Sequence, residues 1–212
     1  MSKDALSPAA IQSLYDHLAP VYDWFELFES HAKAKGRQAL DLRPGQRILE
    51  VGVGTGKELA RIWEAIAPEG TAIGIDISRV MLSLTRRRAQ LPLLQADAHC
   101  LPFGEESFDR LYCAYVLDLL PLADIPGILQ EFHRVLRPGG RMVLISLTEG
   151  VNFFSRALVS LWKAVFALSP GLCGGCRPLQ LRRMIRQAGF EIASREVILQ
   201  LAVASEVISA FQ

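Results

Sequence analysis

The chain has 212 residues, half of them hydrophobic, which is enough for one substantial α/β domain and too few for two. Its formal net charge of +1 gives no electrostatic case for nucleic-acid binding. No signal-peptide pattern or long uncharged apolar run is present, and the four cysteines are scattered, so we expect a cytoplasmic protein without a transmembrane segment or a disulfide scaffold.

Residues 1–45 are expected to form a helical cap that precedes the core. Ser7 followed by Pro8 is a typical helix start, because serine caps free N–H groups and proline fits the first helical turn. Pro20 should end this helix, and a second helix is predicted over residues 21–42. The first helix has one apolar face, formed by Ile11, Leu14, Tyr15 and Leu18.

The stretch over residues 47–57 reads R-I-L-E-V-G-V-G-T-G-K and predicts a buried strand, a tight loop and the start of a helix. Gly52, Gly54 and Gly56 let the backbone approach a ligand closely, and the helix after them directs its N–H groups toward the loop. The G-x-G-x-G spacing differs from the dinucleotide fingerprint G-x-G-x-x-G, and no G-K-[ST] follows. An NAD(P) oxidoreductase and a P-loop protein are therefore disfavoured.

Two acidic residues follow the next two predicted strands. Asp76 ends a strand about twenty residues beyond the glycines, where a carboxylate can accept both ribose hydroxyls of a nucleoside. Asp97 ends the following strand and is suited to accept a hydrogen bond from an adenine amine. These strand ends predict one nucleoside lying across the carboxyl edge of a parallel sheet.

The rest of the pattern predicts the architecture of the core, residues 46–212. Alternating strands and helices indicate right-handed βαβ crossovers and a parallel sheet. The chain after the fifth strand predicts a long apolar helix over 151–168, a helix over 178–188 and an antiparallel β pair. We predict an α/β, Rossmann-like fold with a seven-stranded, mostly parallel sheet and helices on both faces. The predicted strands are 46–51, 71–76, 91–96, 108–114, 141–147, 190–197 and 200–209, with crossover helices near 57–67, 78–90 and 123–137.

These motifs resemble those of the class I S-adenosylmethionine-dependent methyltransferases, of the methyltransferase domain 11 type. The glycine loop resembles the first motif of that family, and G-I-D-I-S at 74–78 resembles its ribose-binding segment. A-D-A-H-C-L-P-F at 96–103 resembles the adenine segment. Y-D-H-L-A-P-V-Y-D at 15–23 resembles the N-terminal signature of the ubiquinone/menaquinone C-methyltransferases and bacterial phosphatidylethanolamine N-methyltransferases.

The resemblance implies S-adenosyl-L-methionine as cofactor. The glycines would line its methionine end, Glu50 would orient the loop or the ammonium group, Asp76 would hold the ribose, and Asp97 would bind the adenine. Ile77 and Met81 would sandwich the adenine ring, and the end of the fourth strand would lie beside the transferred methyl group. The implied cofactor-binding residues are Tyr15, Tyr22, Glu50, Gly52, Gly54, Thr55, Gly56, Asp76, Ile77, Met81, Asp97, Ala98 and Ala114.

The acceptor side is less defined, and Tyr22, Tyr115 and Asp118 are the candidate catalytic residues. The quinone group carries a Gly-Leu-Arg-Asn-type segment after the fourth strand, whereas this chain has V-L-D-L-L-P at 116–121. The quinone group's glycine-histidine-arginine signature is also missing from the cap, where this chain has E-S-H-A at 29–32. The apolar stretch over 151–168 is compatible with a lipophilic acceptor and peripheral membrane contact, or else with packing against the sheet or with a lid.

We therefore expect an enzyme that methylates a small lipophilic acceptor, such as an aminophospholipid, a quinone precursor or a phenol. The alternative is a non-catalytic subunit that binds the cofactor. The C-x-x-C pair Cys173 and Cys176 is a weak metal signal without a second pair, so no metal site is predicted. His17 and His99 could border the pocket as bases. The acceptor atom and the oligomeric state stay open.

Overall fold

The computed structural model describes residues 6–169, 171, 174–201 and 203–212, without the side chains of residues 20, 21 and 25–27. The helices are α1 (Pro8–Leu18), α2 (Glu26–Ala39), α3 (Lys57–Ile66), α4 (Arg79–Arg88), α5 (Ile125–Val135), α6 (Phe153–Leu168) and α7 (Arg182–Gln187). The strands are β1 (Arg47–Val51), β2 (Thr71–Asp76), β3 (Leu93–Gln95), β4 (Phe108–Ala114), β5 (Leu136–Leu147), β6 (Glu191–Gln200) and β7 (Val203–Phe211).

The seven strands form one sheet in the order β3-β2-β1-β4-β5-β7-β6. The first five strands pair in parallel, and β7 runs antiparallel to both β5 and β6. This arrangement confirms the predicted Rossmann-like fold. The strand order reverses between β1 and β4, and ligands of open α/β sheets bind in the crevice outside the carboxyl ends of the strands at such a point.

Each face of the sheet has its own hydrophobic core, because every central strand alternates its side chains between two helix layers. One core joins the sheet to α5 and α7 through fully buried residues such as Phe132 and Ile185. The other joins the sheet to α2, α3 and α4, with Ala32, Ile62 and Leu82 among its members. The first core also contains Ile11 of α1, so the cap packs into the body of the domain.

The carboxyl end of α2 is held by two arginines from the sheet. Arg110 Nε donates to the carbonyl oxygen of Leu40 at 2.7 Å, and Arg141 Nη1 donates to that of Ala39 at 2.7 Å. These bonds satisfy carbonyl groups that a helix end leaves without partners, and cations are favoured there. The cap is therefore anchored at its carboxyl end.

Several boundaries differ from the prediction, and three of these differences have a visible cause. The second helix was predicted from residue 21, but Ala19–Phe25 forms a 3₁₀ segment and α2 begins only at Glu26. Strand β5 begins at Leu136 rather than 141, because Leu136 pairs with Phe108 across a β-bulge. The helix predicted over 178–188 is only Arg182–Gln187, since the Leu179 N–H bonds to the carbonyl oxygen of Leu147 and keeps that segment outside the helix.

The apolar stretch predicted over 151–168 forms α6, whose N-terminus has a reciprocal capping box between Asn152 and Ser155. Within the described ranges, no helix is long and apolar enough to cross a membrane.

Candidate active site

The glycine loop turns sharply where β1 ends, directly against the end of β4. Gly52 has φ of +73°, and a Cβ atom there would lie 2.1 Å from Val116 Cγ2. The N–H groups of Gly52 and Val53 both donate to the carbonyl oxygen of Ile75 at the end of β2. A side chain at position 52 would therefore both strain the backbone and displace the β4 end.

Asp76 holds this loop to the end of β2. One carboxylate oxygen accepts from the Gly54 N–H at 2.9 Å, and the other accepts from the Ser78 N–H at 2.9 Å. Burial raises the pKa of the Asp76 carboxyl to about 6, although the N–H groups of Ser78, Gly54 and Ile77 act in the opposite direction. A carboxylate has about four acceptor sites, so Asp76 keeps capacity to accept from a ribose hydroxyl.

Asp97 lies just beyond β3 and forms a cluster with a histidine and a second acid. Its Oδ1 atom accepts from the His99 N–H at 3.0 Å and lies 2.5 Å from His99 Nδ1. His99 Nε2 lies 3.3 Å from Asp124 Oδ2. Burial would lower the pKa of His99, but the two carboxylates raise it above its ordinary value. The other Asp97 oxygen makes no hydrogen bond to a described residue, which leaves an acceptor for an amine.

The cap closes the pocket from above. The phenol of Tyr15 on α1 donates to the carbonyl oxygen of Gly174 at 3.3 Å, and its ring lies 5.8 Å from that of Tyr22. Tyr22 Cε1 comes within 3.6 Å of the position that a Cβ of Gly54 would occupy. This is an ordinary van der Waals distance, so a Cβ would fit beside Tyr22, and the φ of +53° is what favours glycine at position 54.

These elements surround a pocket with a cavity volume of about 80 Å³, small beside the usual range of small-molecule sites, so the cap lies close over it. Ten of the thirteen residues predicted to bind the cofactor line it: Tyr15, Tyr22, Gly52, Gly54, Asp76, Ile77, Met81, Asp97, Ala98 and Ala114.

The other three predicted cofactor residues do not line the pocket. Glu50 is buried on the α2–α3 side of β1, and burial, reinforced by Glu58, raises its pKa well above the ordinary value. Its Oε2 atom is buried without a hydrogen-bond partner among the described residues. The Thr55 hydroxyl points to the cap, where it donates to Asp23, and Gly56 precedes α3.

The predicted acceptor-side residues have different surroundings. Tyr22 and Tyr115 line the pocket, but the Tyr115 phenol donates to Ser205 Oγ at 2.8 Å and is thereby occupied. The prediction for Asp118 needs correction, since this residue is fully buried, does not line the pocket and accepts from the Leu147 N–H at 2.7 Å. It therefore joins the β4 end to the β5 end.

Sequence reasoning missed part of the lining, namely Pro8, Ile11, Val51, Ile75, Ala96, Leu119 and Leu120, whereas His99 was expected at the border and Val116 at the end of the fourth strand. The amphipathic face of α1 was a signal for Ile11, because a helix that covers a site must direct its apolar side inward. Cys173 lies outside the described residues, and Cys176 Sγ lies 3.8 Å from the Tyr15 hydroxyl.

The arrangement suits a nucleoside with a charged, flexible tail. Acceptors for hydroxyls and an amine lie at the ends of β2 and β3, the glycine loop lies beyond β1, and a buried carboxylate oxygen lies below the loop. The ionisable side chains that line the pocket are those of Tyr15, Tyr22, Asp76, Asp97, His99 and Tyr115.

A family model described as a methyltransferase domain matches residues 48–140. The demethylmenaquinone methyltransferase of Symbiobacterium thermophilum is 30% identical over 193 residues, covering 78% of this chain and 76% of that protein. An uncharacterized 37.1 kDa protein in transposon TN4556 of Streptomyces fradiae is 42% identical over 111 residues, covering 50% of this chain and 31% of that protein.

The structural comparison agrees with this. A Thermotoga maritima S-adenosylmethionine-dependent methyltransferase superposes with a TM-score of 0.72 at 22% identity, covering 95% of this chain and 99% of that chain, and so shows the same fold. With the fold, the strand-end acids and the relatives in agreement, the chain belongs to the class I S-adenosylmethionine-dependent methyltransferases.

Proposed function

We propose that the protein transfers the methyl group of S-adenosylmethionine to a small lipophilic acceptor, such as a quinone precursor, an aminophospholipid or a phenol. One observation carries the proposal. The pocket that contains Asp76 and the glycine loop also has an apolar wall, built by the cap and the segment after β4. Its members are Pro8, Ile11, Val116, Leu119 and Leu120.

The cofactor would be held by groups of known chemistry. Asp76 would accept from the ribose hydroxyls, Asp97 and the Ala98 backbone would bind the adenine edge, and Ile77 with Met81 would contact the adenine faces. The buried Glu50 Oε2 atom, which has no hydrogen-bond partner among the described residues, would face the ammonium group from beneath the loop, and a cation there would favour the ionised form of this carboxyl against the burial that raises its pKa. The cofactor supplies a methyl group already activated by its sulfonium.

The protein would position the acceptor and exclude water from the methyl group. Tyr22 lies at the junction of the cap and the loop, and burial, reinforced by Glu29, raises its pKa well above the ordinary value. Its phenol is therefore neutral near pH 7 and serves as a hydrogen-bond donor rather than a base. We propose that Tyr22 orients the acceptor, while the closed cap excludes water from the methyl group.

A quinone precursor is the acceptor to test first. The Symbiobacterium relative is a demethylmenaquinone methyltransferase, and its match covers most of this chain. The segment 116–121, which departs from the quinone group's pattern, supplies Val116, Leu119 and Leu120 to the wall. The departing segment therefore keeps this wall apolar, and an aminophospholipid is the second acceptor to test.

The test is transfer of a labelled methyl group from the cofactor to a panel containing a demethylnaphthoquinol, phosphatidylethanolamine and simple phenols. Asp76→Ala is the inactive comparison, and Glu64→Ala on the exposed side of α3 is the matched control that should keep full activity. We expect labelled product from one lipophilic class. Cofactor binding without transfer to any member of the panel would instead favour a non-catalytic subunit.

A further inference from the structure

Helix α6 exposes an apolar face to solvent. Phe153, Phe154, Leu161 and Leu168 are 80%, 78%, 62% and 86% exposed. On the opposite side of the helix, Leu158, Val159 and Trp162 face β7 and the end of β5. The helix therefore packs on the domain through one side only. Packing does not account for the apolar residues on its exposed side.

The exposed residues form a continuous stripe. Positions 153, 157, 161, 164 and 168 recur every three or four residues, so Phe153, Ala157, Leu161, Ala164 and Leu168 share one side of the helix. Phe154 flanks this side and contacts the ring of Phe153 with centroids 5.8 Å apart. At 1.5 Å per residue the helix is about 24 Å long, so the stripe runs the length of a substantial surface.

A basic groove lies beside the first turn of α6. Its arginines are Arg156, Arg182, Arg183, Arg186 and Arg195. Its two acids are already paired, Glu149 with Lys163 and Glu206 with Arg195. In the described part of the chain, Arg182, Arg183 and Arg186 are exposed and form no ion pair. The groove therefore carries excess positive charge.

The groove and the stripe are neighbours, and both lie at the end of the sheet that holds the pocket. Arg156 belongs to α6 itself, and Val151, which is half exposed, lines the groove just before the helix. Thr148 and Glu149 of the groove directly follow the carboxyl end of β5. The turn between β6 and β7 lies at this end too, and it exposes Leu201.

We propose that this surface docks the protein on an anionic lipid bilayer, with α6 lying in the membrane interface. An apolar helical stripe bordered by arginines matches acyl chains bordered by phosphates, which is the chemistry of interfacial helices. The charge of the groove selects an anionic surface over a neutral one. Docking in this orientation turns the pocket end of the sheet toward the bilayer. The proposed docking does not depend on which acceptor is methylated.

The test measures co-sedimentation of the full chain with vesicles of phosphatidylcholine and with vesicles of equimolar phosphatidylcholine and phosphatidylglycerol. Three variants are compared with the wild type: Phe153→Ser/Phe154→Ser in the stripe, Arg182→Gln/Arg183→Gln in the groove, and Arg86→Gln/Arg87→Gln as the charge-matched control on α4. A further control, Leu94→Gln, removes an exposed apolar side chain at the opposite edge of the sheet.

We expect binding to the anionic vesicles only, weakened about fivefold for each groove arginine removed and by at least about tenfold for the phenylalanine pair. The control variants should bind like the wild type. Cofactor titration and circular dichroism check that each variant is folded. The groove variant changes only exposed arginines, so it keeps the test valid if the phenylalanine variant misfolds.

Failure of the wild type to bind anionic vesicles would overturn the proposal. So would equal loss in the α4 control, which would show a nonspecific charge effect. A different result would assign the stripe to a second copy of the chain. In that case the wild type is a dimer in sedimentation velocity, Phe153→Ser/Phe154→Ser is a monomer, and neither protein binds vesicles.

Discussion

The carboxylate of Asp23 accepts a hydrogen bond from the Thr55 hydroxyl at 2.8 Å, and this contact joins the N-terminal cap to the glycine loop. Lys57 and Arg88 approach the same carboxylate at 3.2 and 3.0 Å. Asp23 thus connects the cap to three partners around the loop, and Asp16 of the cap adds a second contact by accepting from the Ser78 hydroxyl.

Replacing Asp23 should loosen this closure. We expect Asp23→Ala to raise the dissociation rate of the cofactor product about fivefold, because the cap loses its hydrogen bond and both ion pairs. Stopped-flow displacement measures this rate, and Glu64→Ala on the outer side of α3 is the control. An unchanged rate would mean that the other contacts of the cap, such as those of Tyr15 with Gly174 and Asp16 with Ser78, hold it without Asp23.

The pH dependence of this effect has a defined sign. Burial would raise the pKa of Asp23, but the bonds from Thr55, Lys57 and Arg88 outweigh it and lower the pKa. A lowered carboxyl pKa gives a contribution that is present above the unfolded value and lost only as pH falls through the folded value. The Asp23→Ala effect should therefore be constant between about pH 6 and 8.

Asp76 should give cofactor binding a pH dependence of its own. Because burial raises the pKa of Asp76 to about 6, the carboxylate that accepts from the ribose becomes protonated as pH falls below this value. We expect affinity for S-adenosylmethionine to fall by up to about tenfold per pH unit below about pH 6. Titration of Asp76→Asn, which should bind weakly and lose this dependence, separates Asp76 from His99. A wild-type affinity that is flat down to about pH 5 would contradict the assignment.

The two pocket tyrosines should respond differently to loss of the hydroxyl. Tyr22→Phe should lower kcat roughly fivefold while leaving the cofactor Kd within about twofold, because its phenol is proposed to orient the acceptor. Tyr115→Phe should leave kcat nearly unchanged and lower the free energy of unfolding by about 1 kcal/mol, since it removes the donor to the buried Ser205 hydroxyl. Steady-state kinetics and denaturant unfolding of both variants give the comparison, and a reversed pattern would exchange their roles.

Asp118 should behave as a structural residue. Asp118→Asn keeps an oxygen for the Leu147 N–H and should leave methyl transfer within about twofold, whereas Asp118→Ala should cost about 1–3 kcal/mol of stability. Melting temperature and turnover of the two variants are the measurements. Loss of turnover in a stable Asp118→Asn variant would restore this residue to the catalytic list.

The sequence predicted the features that depend on local spacing. Gly52 and Asp76 lie at strand ends whose positions follow from the apolar pattern, and topology then brings those ends to one edge. The side-chain contacts of Thr55 and Tyr115 were harder to predict. The direction of a side chain just past a strand is set by the loop geometry and by partners far along the chain. Their partners, Asp23 and Ser205, lie 32 and 90 residues away.

The apolar wall of the pocket was hard to predict from the sequence for a related reason. Ile11 and Leu120 are ordinary core residues in the sequence, and only the closure of α1 over the β4 end makes them part of one pocket. Asp118 is acidic and follows β4, which makes it a catalytic candidate in the sequence, yet its buried contact with Leu147 depends on pairing between strands that are distant in sequence.

The central claim is that this pocket binds S-adenosylmethionine through the Asp76 strand end. Calorimetric titration of the wild type and Asp76→Ala with the cofactor, its demethylated product and NADH tests it directly. We expect the wild type to bind the first two and not NADH, and the variant to bind roughly a hundredfold more weakly with an unchanged circular dichroism spectrum. Equal affinity in the two proteins would contradict the site assignment, and absence of cofactor binding to the wild type would contradict the account of the pocket.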